Sequence, residues 1–84
     1  MMVSWAETAW EDYRYWQPTD KRILKRIHSL LQAIQRQPFE GLGAPEPLKH
    51  PWSGYWSRRI DREHRLVYKA TEDALIVVQC RYHY

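Results

Sequence analysis

Three runs of β-branched and aromatic residues occupy the last third of the chain, separated by two short polar gaps. The runs are residues 55–60, 64–70 and 74–84, and the gaps are residues 61–63 and 71–73. Short strands joined by three-residue polar loops are typical of an antiparallel meander. Loops of this length predict that Ile60 pairs with His64 and that Ala70 pairs with Ala74.

This register divides the meander into two faces, because successive side chains of a strand point to opposite sides of a sheet. The even-numbered face is mostly apolar, with Arg58 and His64 as exceptions, and comprises Trp56, Ile60, Leu66, Tyr68, Ile76, Val78, Cys80 and Tyr82. The odd-numbered face is basic at one end, where Arg59 is predicted to lie opposite Arg65. Opposed like charges destabilise a sheet. This end is therefore either an anion-binding site or a solvated basic face.

Two helices are predicted before the meander. The first extends from Glu7 to Trp16, and Pro18 is expected to end it because its ring clashes with a continuing helix. Thr19 is the predicted N-cap of the second helix, which continues to about Gln37. The second helix has an apolar stripe at helical spacing, formed by Ile23, Leu24, Ile27, Leu30, Leu31 and Ile34. We expect this stripe to pack on the apolar face of the sheet.

Length and composition narrow the class of protein. The 84 residues predict one domain, spanning residues 1–84, and residues 2–5 are a candidate for a further short strand. Cys80 is the only cysteine, which excludes an internal disulfide, and its apolar surroundings favour a core residue over a nucleophile. Without a long apolar run or a leader, we expect no membrane span and a cytoplasmic location. The net charge of +3 favours an acidic partner.

One long irregular segment, residues 38–54, connects the second helix to the meander. Loops of this length in small domains are usually functional or disordered, and the prolines in this segment argue for a stiff one. It contains Glu46 and Lys49, each next to a proline or one residue away from one. These two side chains are either functional or simply solvated, and the segment by itself leaves both interpretations open.

The available side chains limit the chemistry. The histidines lack the spacing of metal ligands, and we expect no metal and no cofactor. A carboxylate such as Glu46 and a histidine such as His83 can act as general base and general acid. Arginines can bind a phosphate and stabilise charge that develops on it. These parts suit metal-free RNA cleavage, in which a 2′-hydroxyl attacks its neighbouring phosphate.

Seven segments together resemble one known family. They are residues 10–13, 19–23, 38–41, 45–50, 56–60, 63–68 and 80–84, and they extend over essentially the whole chain. The chain resembles the YoeB/Txe toxin family of the RelE superfamily. The resemblance implies an α+β fold similar to microbial ribonucleases, in which two N-terminal helices pack on a twisted, mainly antiparallel, four-stranded sheet. It also implies a toxin of a bacterial type II toxin–antitoxin system that cuts mRNA in the ribosomal A site and arrests translation.

The resemblance also implies roles for individual residues. Glu46 corresponds to the general base, His83 to the general acid and Arg65 to the residue that stabilises the transition state. Tyr84 corresponds to the residue that holds the RNA base or positions the scissile nucleotide. The expected phosphate contacts are Lys49, Arg59 and, on the basic face, Arg81. The implied partners are an antitoxin of the YefM/Phd type, the ribosome with its mRNA, and a second copy of the chain.

Two other classes of function remain open. One is an RNA-binding module without catalysis that uses the basic face together with aromatic stacking. The other is an interaction protein that only helps an antitoxin to repress its operator. A DNA-reading helix-turn-helix is disfavoured, because the first helix is acidic and a proline occupies the turn. The combination of Glu46, Arg65 and His83 favours an enzyme, since binding alone does not need it.

Overall fold

The structure, a computed structural model, describes residues 1–83. Two helices pack on a five-stranded sheet with the strand order β1-β5-β4-β3-β2. β1 runs parallel to β5, and all other neighbours are antiparallel. The elements in chain order are β1 (Met2–Trp5), α1 (Glu7–Thr19), α2 (Lys21–Arg36), β2 (Glu46–Pro47), β3 (Trp56–Arg59), β4 (Arg65–Ala70) and β5 (Ala74–Gln79). No helix within residues 1–83 is both long and apolar enough to cross a membrane.

The predicted α+β class is confirmed, but the predicted count of four strands is wrong. Glu46 and Pro47 pair with Ser57 and Trp56 and form a fifth strand, β2, at the edge of the sheet. Two residues are too few to show an alternating pattern, and proline usually argues against a strand. Proline fits here because it has no backbone N–H, and an edge strand leaves one row of its backbone groups unpaired in any case. β1 confirms the candidate strand at residues 2–5, so the helices follow a strand and do not begin the fold.

The junction between the helices differs from the prediction by a few residues. α1 continues through Pro18 to Thr19, because the missing N–H of proline removes only one hydrogen bond in the last turn. Asp20, and not Thr19, caps α2: its carboxylate accepts hydrogen bonds from the backbone N–H groups of Arg22 and Ile23. α2 then ends at Arg36, within one residue of the expected end.

The apolar stripe of α2 packs on the sheet as predicted. Ile27, Leu30 and Ile34 are completely buried, and the other three members of the stripe are partly buried around them. They meet Leu66 and Tyr68 of β4, which are also completely buried. The core thus lies between the helices and one face of the sheet. The opposite face of β2, β3 and β4 is left for the candidate site.

The register of the β3–β4 hairpin is the predicted one, whereas that of β4–β5 is wrong by one residue. Arg59 lies opposite Arg65. In the second hairpin, Ala70 pairs with Leu75 and not with Ala74. The physical reason is the turn at Thr71, whose backbone N–H donates to the carbonyl of Ala74 at 2.8 Å and whose Oγ1 accepts the N–H of Ala74 at 3.0 Å.

This one-residue shift changes which side chains of β5 enter the core. Leu75 and Val77 are completely buried, whereas Ile76 and Val78, expected in the core, are only partly buried. Val78 is the extra residue of a β-bulge in the pairing with β4. This extra residue shifts the alternation of side chains by one, so that the even-numbered position 80 faces the core. Cys80 is therefore buried on the core side, as predicted.

Candidate functional site

The sheet register places three of the predicted site residues on one face. Glu46 of β2 lies opposite Ser57 of β3, and Arg59 follows two residues later on the same strand. Arg65 of β4 lies opposite Arg59. Opposed residues and residues two apart share a face, and neighbouring positions on it are about 5–7 Å apart. A carboxylate and two guanidinium groups therefore project from the side of the sheet that the helices leave uncovered.

The guanidinium of Arg65 is held by the turn that precedes it. Its Nη1 atom donates hydrogen bonds to the carbonyl oxygens of Asp61 at 2.8 Å and His64 at 3.1 Å. Among residues 1–83, the hydrogen bonds of this side chain all use Nη1. The turn thus fixes the position of the cation, while Nε and Nη2 can donate to an anion. A planar guanidinium fixed in this way suits two-point binding of a phosphate.

Arg59 is exposed, and its backbone is tied to two other parts of the chain. Its N–H donates to the carbonyl of Gly43 at 2.7 Å. Its carbonyl accepts a hydrogen bond from Nη2 of Arg26 at 3.1 Å. The loop before β2 and helix α2 therefore meet at Arg59. A Cβ atom at Gly43 would lie 2.7 Å from Leu30, and φ of Gly43 is +87°, so both space and conformation favour glycine there.

The segment after β5, which leads to His83, is attached to α1 at Cys80. The carboxylate of Asp12 accepts the backbone N–H of Cys80 at 3.1 Å, and Nε1 of Trp16 donates to its carbonyl at 2.9 Å. Burial raises the pKa of Asp12 above its ordinary value, against the opposing effects of this hydrogen bond and of Arg81. Burial, with a contribution from Asp12, raises the pKa of the Cys80 thiol to about 12. The thiol is therefore protonated near neutrality, as expected for a core residue.

β4 holds the same segment two residues later. The backbone N–H of Tyr82 donates to Nδ1 of His64 at 2.7 Å, and the carbonyl of Tyr82 accepts from the N–H of Arg65 at 3.0 Å. Tyr82 thus lies beside His64, whereas the expected pairing of Ala70 with Ala74, continued along the strands, would have placed Cys80 there. Tyr82 adopts a positive φ of 63° and is 54% exposed, so its predicted place on the apolar face is also wrong.

The guanidinium of Arg81 stacks on aromatic rings. Its Cζ atom lies 3.5 Å from the centroid of the Tyr15 ring on α1 and 4.6 Å from the centroid of the Tyr82 ring. Cation–π contacts of this kind orient a guanidinium while it remains charged. Arg81 is therefore anchored beside α1. The structure does not place it in the row formed by Glu46, Arg59 and Arg65.

Two neighbouring hollows contain the remaining predicted residues. The first, of about 490 Å³, is lined by Glu46, Lys49 and their neighbours in the loop. The second, of about 320 Å³, is lined by residues of α1 and of the chain end, including the exposed His83. Trp52 lines both hollows. Tyr84, the predicted nucleotide-positioning residue, lies outside the described residues.

Sequence reasoning did not find a role for Arg58, although it noted this arginine on an apolar face. The side chain is completely buried and donates hydrogen bonds to the Tyr68 hydroxyl and to the carbonyls of Gln37, Glu40 and Leu42. Burial raises the pKa of Tyr68, and the charge and hydrogen bond of Arg58 oppose this rise. Arg58 therefore fastens the loop after α2 to the sheet, next to Arg59. The available signal was the Arg58-Arg59 pair, since one of two consecutive strand residues must face the core.

Trp52 was also overlooked by sequence reasoning. It lies within the irregular loop and belongs to no periodic pattern. The one available signal was a large aromatic residue between Pro51 and Gly54 in an irregular segment. Only the packing of the loop against the end of β5 shows that Trp52 contacts both hollows.

Known proteins match this chain over its full length. The profile of the YoeB-like toxins of bacterial type II toxin–antitoxin systems matches residues 5–84. Toxin YoeB of Escherichia coli (strain K12) is 60% identical over 84 residues, which is 100% of both chains. The YoeB dimer from Staphylococcus aureus superimposes with a TM-score of 0.95 at 44% identity, covering 100% of this chain and 98% of that one.

A third match comes from a complex. A chain of the heterotetrameric YoeB–YefM toxin–antitoxin complex from Staphylococcus aureus gives a TM-score of 0.93 at 44% identity, with coverage of 100% and 98%. Identity at this level over the complete chain, together with the same fold, establishes the family. The chain belongs to the YoeB-like toxins of bacterial type II toxin–antitoxin systems, within the RelE-like group.

Proposed function

We propose that this toxin is a metal-independent endoribonuclease that cuts mRNA in the ribosomal A site and so arrests translation. The observation that carries the proposal is the opposed pair Arg59 and Arg65 on the same sheet face as Glu46. Two like charges at opposed positions cost stability unless an anion lies between them. A phosphate of the RNA backbone is such an anion, and Glu46 supplies a base beside it.

The proposed reaction is an internal transfer at one phosphate. Glu46 accepts the proton of a 2′-hydroxyl, and the 2′-oxygen forms a bond to the adjacent phosphorus. The bond from phosphorus to the 5′-oxygen of the next nucleotide breaks, and His83 donates a proton to that oxygen. The products are a 2′,3′-cyclic phosphate and a free 5′-hydroxyl.

Three cations are proposed to act on the phosphate. Arg65, fixed by its turn through Nη1, stabilises the charge that develops on the non-bridging oxygens. Arg59 and Lys49 bind and orient the phosphate before the reaction. Arg81 is proposed to contact a neighbouring phosphate from beside α1, and Tyr84 to hold the scissile nucleotide.

The relatives suggest the partners. A YoeB protein from Staphylococcus aureus is described as a dimer, and another structure contains it with YefM. We infer that this chain also forms a homodimer and is neutralised by a YefM/Phd-type antitoxin. An acidic disordered segment of that antitoxin would fold onto the cationic face at Arg59 and Arg65. The ribosome would contact the basic surface of α2, which is formed by the exposed Lys21, Arg22, Lys25 and Arg36. The site of action would be the cytoplasm.

Primer extension on a reporter mRNA tests the proposal. Purified toxin is mixed with the message, with and without translating ribosomes, and the cut ends are mapped. We expect cuts with ribosomes and chelator present, and none with Glu46→Gln or with a chain that ends at Tyr82. An uncut message would contradict an endonuclease. Ribosome binding without cuts would instead favour an RNA-binding module without catalysis.

A further inference from the structure

Trp52 occupies a position that the proposed reaction does not yet use. It lines the hollow that contains Glu46 and Lys49, and it also lines the hollow that contains His83. In the proposed reaction, the general base acts on one side of the phosphate and the general acid on the other. Trp52 therefore lies between the hollow of the proposed general base and the hollow of the proposed general acid.

The local structure holds the indole in place. The backbone N–H of Trp52 donates to the carbonyl of Lys49 at 2.7 Å, and its carbonyl accepts the N–H of Tyr55 at 3.0 Å. Its ring meets the Tyr55 ring in a T-shaped contact, with centroids 5.6 Å apart at 89°. The side chain is nevertheless only partly buried. A large aromatic ring that meets one neighbour in an edge contact and is still exposed in part is suited to stacking on another ring.

We propose that the indole of Trp52 is a stacking platform for the base of one of the two nucleotides that flank the scissile phosphate. This inference rests on the proposed ribonuclease function and adds a nucleobase subsite to it. Both hollows are within the range of about 300–1,000 Å³ that small ligands occupy. Stacking is tolerant of sequence because every base has a π-face. The platform would thus position the RNA without restricting the codon to one base.

Packing alone is the competing explanation, because Trp52 also contacts Tyr55. Three variants separate the two explanations. Trp52→Phe keeps an aromatic face, Trp52→Leu keeps apolar bulk without a π-system, and Trp52→Ala removes both. Phe39→Ala is the matched control, since Phe39 is a half-exposed aromatic residue that lines neither hollow. Thermal melting of each variant checks that the fold is retained.

The decisive experiment removes the base as well as the indole. Single-turnover cleavage on programmed ribosomes is measured with intact mRNA and with mRNA that carries an abasic nucleotide 5′ or 3′ of the scissile phosphate. On intact mRNA, Trp52→Ala and Trp52→Leu should slow cleavage between about 5-fold and 150-fold, and Trp52→Phe much less. At one of the two abasic positions this loss should disappear, because no base remains to stack.

Equal losses on intact and on abasic mRNA at both positions would overturn the platform and leave Trp52 as a packing residue. If wild-type toxin cuts no message, the proposed function fails. RNA binding by the isolated toxin then tests separately whether Trp52 is a stacking platform. The probe is then a fluorescent 2′-O-methyl RNA trinucleotide, which cannot be cut, titrated with the isolated toxin. Weaker binding to Trp52→Leu than to Trp52→Phe supports the platform. Equal binding to these variants, or no binding to wild type, refutes it.

Discussion

Nδ1 of His64 accepts a 2.7 Å hydrogen bond from the backbone N–H of Tyr82, and this bond joins the residue before β4 to the residue before His83. Since Nδ1 accepts, only Nε2 of this ring is available as a donor. His64 is buried and its ring packs against Trp16 at a centroid distance of 4.8 Å. The imidazole therefore acts as a fixed support for the chain end that carries the proposed general acid.

Replacement of His64 by Phe or by Asn should separate packing from positioning. The phenyl ring of His64→Phe retains the contact with Trp16 but offers no acceptor to the N–H of Tyr82. The amide oxygen of His64→Asn can still accept it. A displacement of about 1 Å at a reacting group costs on the order of 10²-fold in rate, so we expect kcat of the Phe variant to fall by about that factor. KM should change little. Comparable kcat values for the two variants would refute a positioning role.

Arg65→Ala should lower mRNA cleavage by about 10²- to 10³-fold, the usual effect of removing one donor that stabilises developing charge. Arg65→Lys should restore only part of the rate, because an ammonium group cannot make two parallel bonds to a phosphate. The fold should persist, since no large apolar contact is lost. Arg14→Ala removes an equal charge from the exposed surface of α1 and serves as the control. Near-wild-type cleavage by Arg65→Ala would exclude this residue from the reaction.

Arg58→Lys should destabilise the protein although it conserves the charge. A lysine cannot donate at once to the Tyr68 hydroxyl and to three carbonyls of the loop, as Arg58 does. Each buried carbonyl left without a donor costs about 1–3 kcal/mol, so the free energy of unfolding should fall by on the order of 3 kcal/mol. Urea titration measures this change. Arg59→Lys, an exposed neighbour, should leave the unfolding midpoint almost unchanged, and an equal loss in both variants would contradict the role of Arg58.

Asp12 makes the stability of the folded protein depend on pH, and the direction of this dependence is definite. Burial raises the pKa of this carboxyl in the folded state above 3.8, so the folded protein binds more protons than the unfolded chain between the two values. The stability from the neutral carboxyl is complete below about 3.8 and is lost as the pH rises through the folded-state pKa.

Asp12→Asn removes this titration while its amide oxygen can still accept the N–H of Cys80. Urea unfolding of wild type and variant, measured from about pH 4 to neutrality, should therefore show that the wild-type advantage shrinks as the pH rises. If the difference in unfolding free energy between wild type and variant stays constant or grows with pH, the pKa of this carboxyl is not raised in the folded state. Asp73→Asn, at an exposed turn, provides the control.

Local patterns in the sequence determined the elements that repeat a simple period. The stripe of α2 was visible because buried residues recur every three or four positions, and Ile27, Leu30 and Ile34 are indeed completely buried. The β3–β4 hairpin was visible because a three-residue loop predicts the register that places Arg59 opposite Arg65, and no side chain of its turn shifts that register. The family resemblance supplied the roles of the site residues, which stay predictions about this chain.

Tertiary structure decided the features that depend on a single competing bond or on distant partners. The register of β5 depends on the turn at Thr71, where the side-chain hydroxyl accepts the backbone N–H of Ala74 and the backbone N–H donates to the carbonyl of Ala74. β2 exists because a two-residue segment finds a free edge on β3. The chain end is held by Asp12, 68 positions away from Cys80 along the chain. No periodicity encodes such contacts, because they form only after the helices and the sheet have come together.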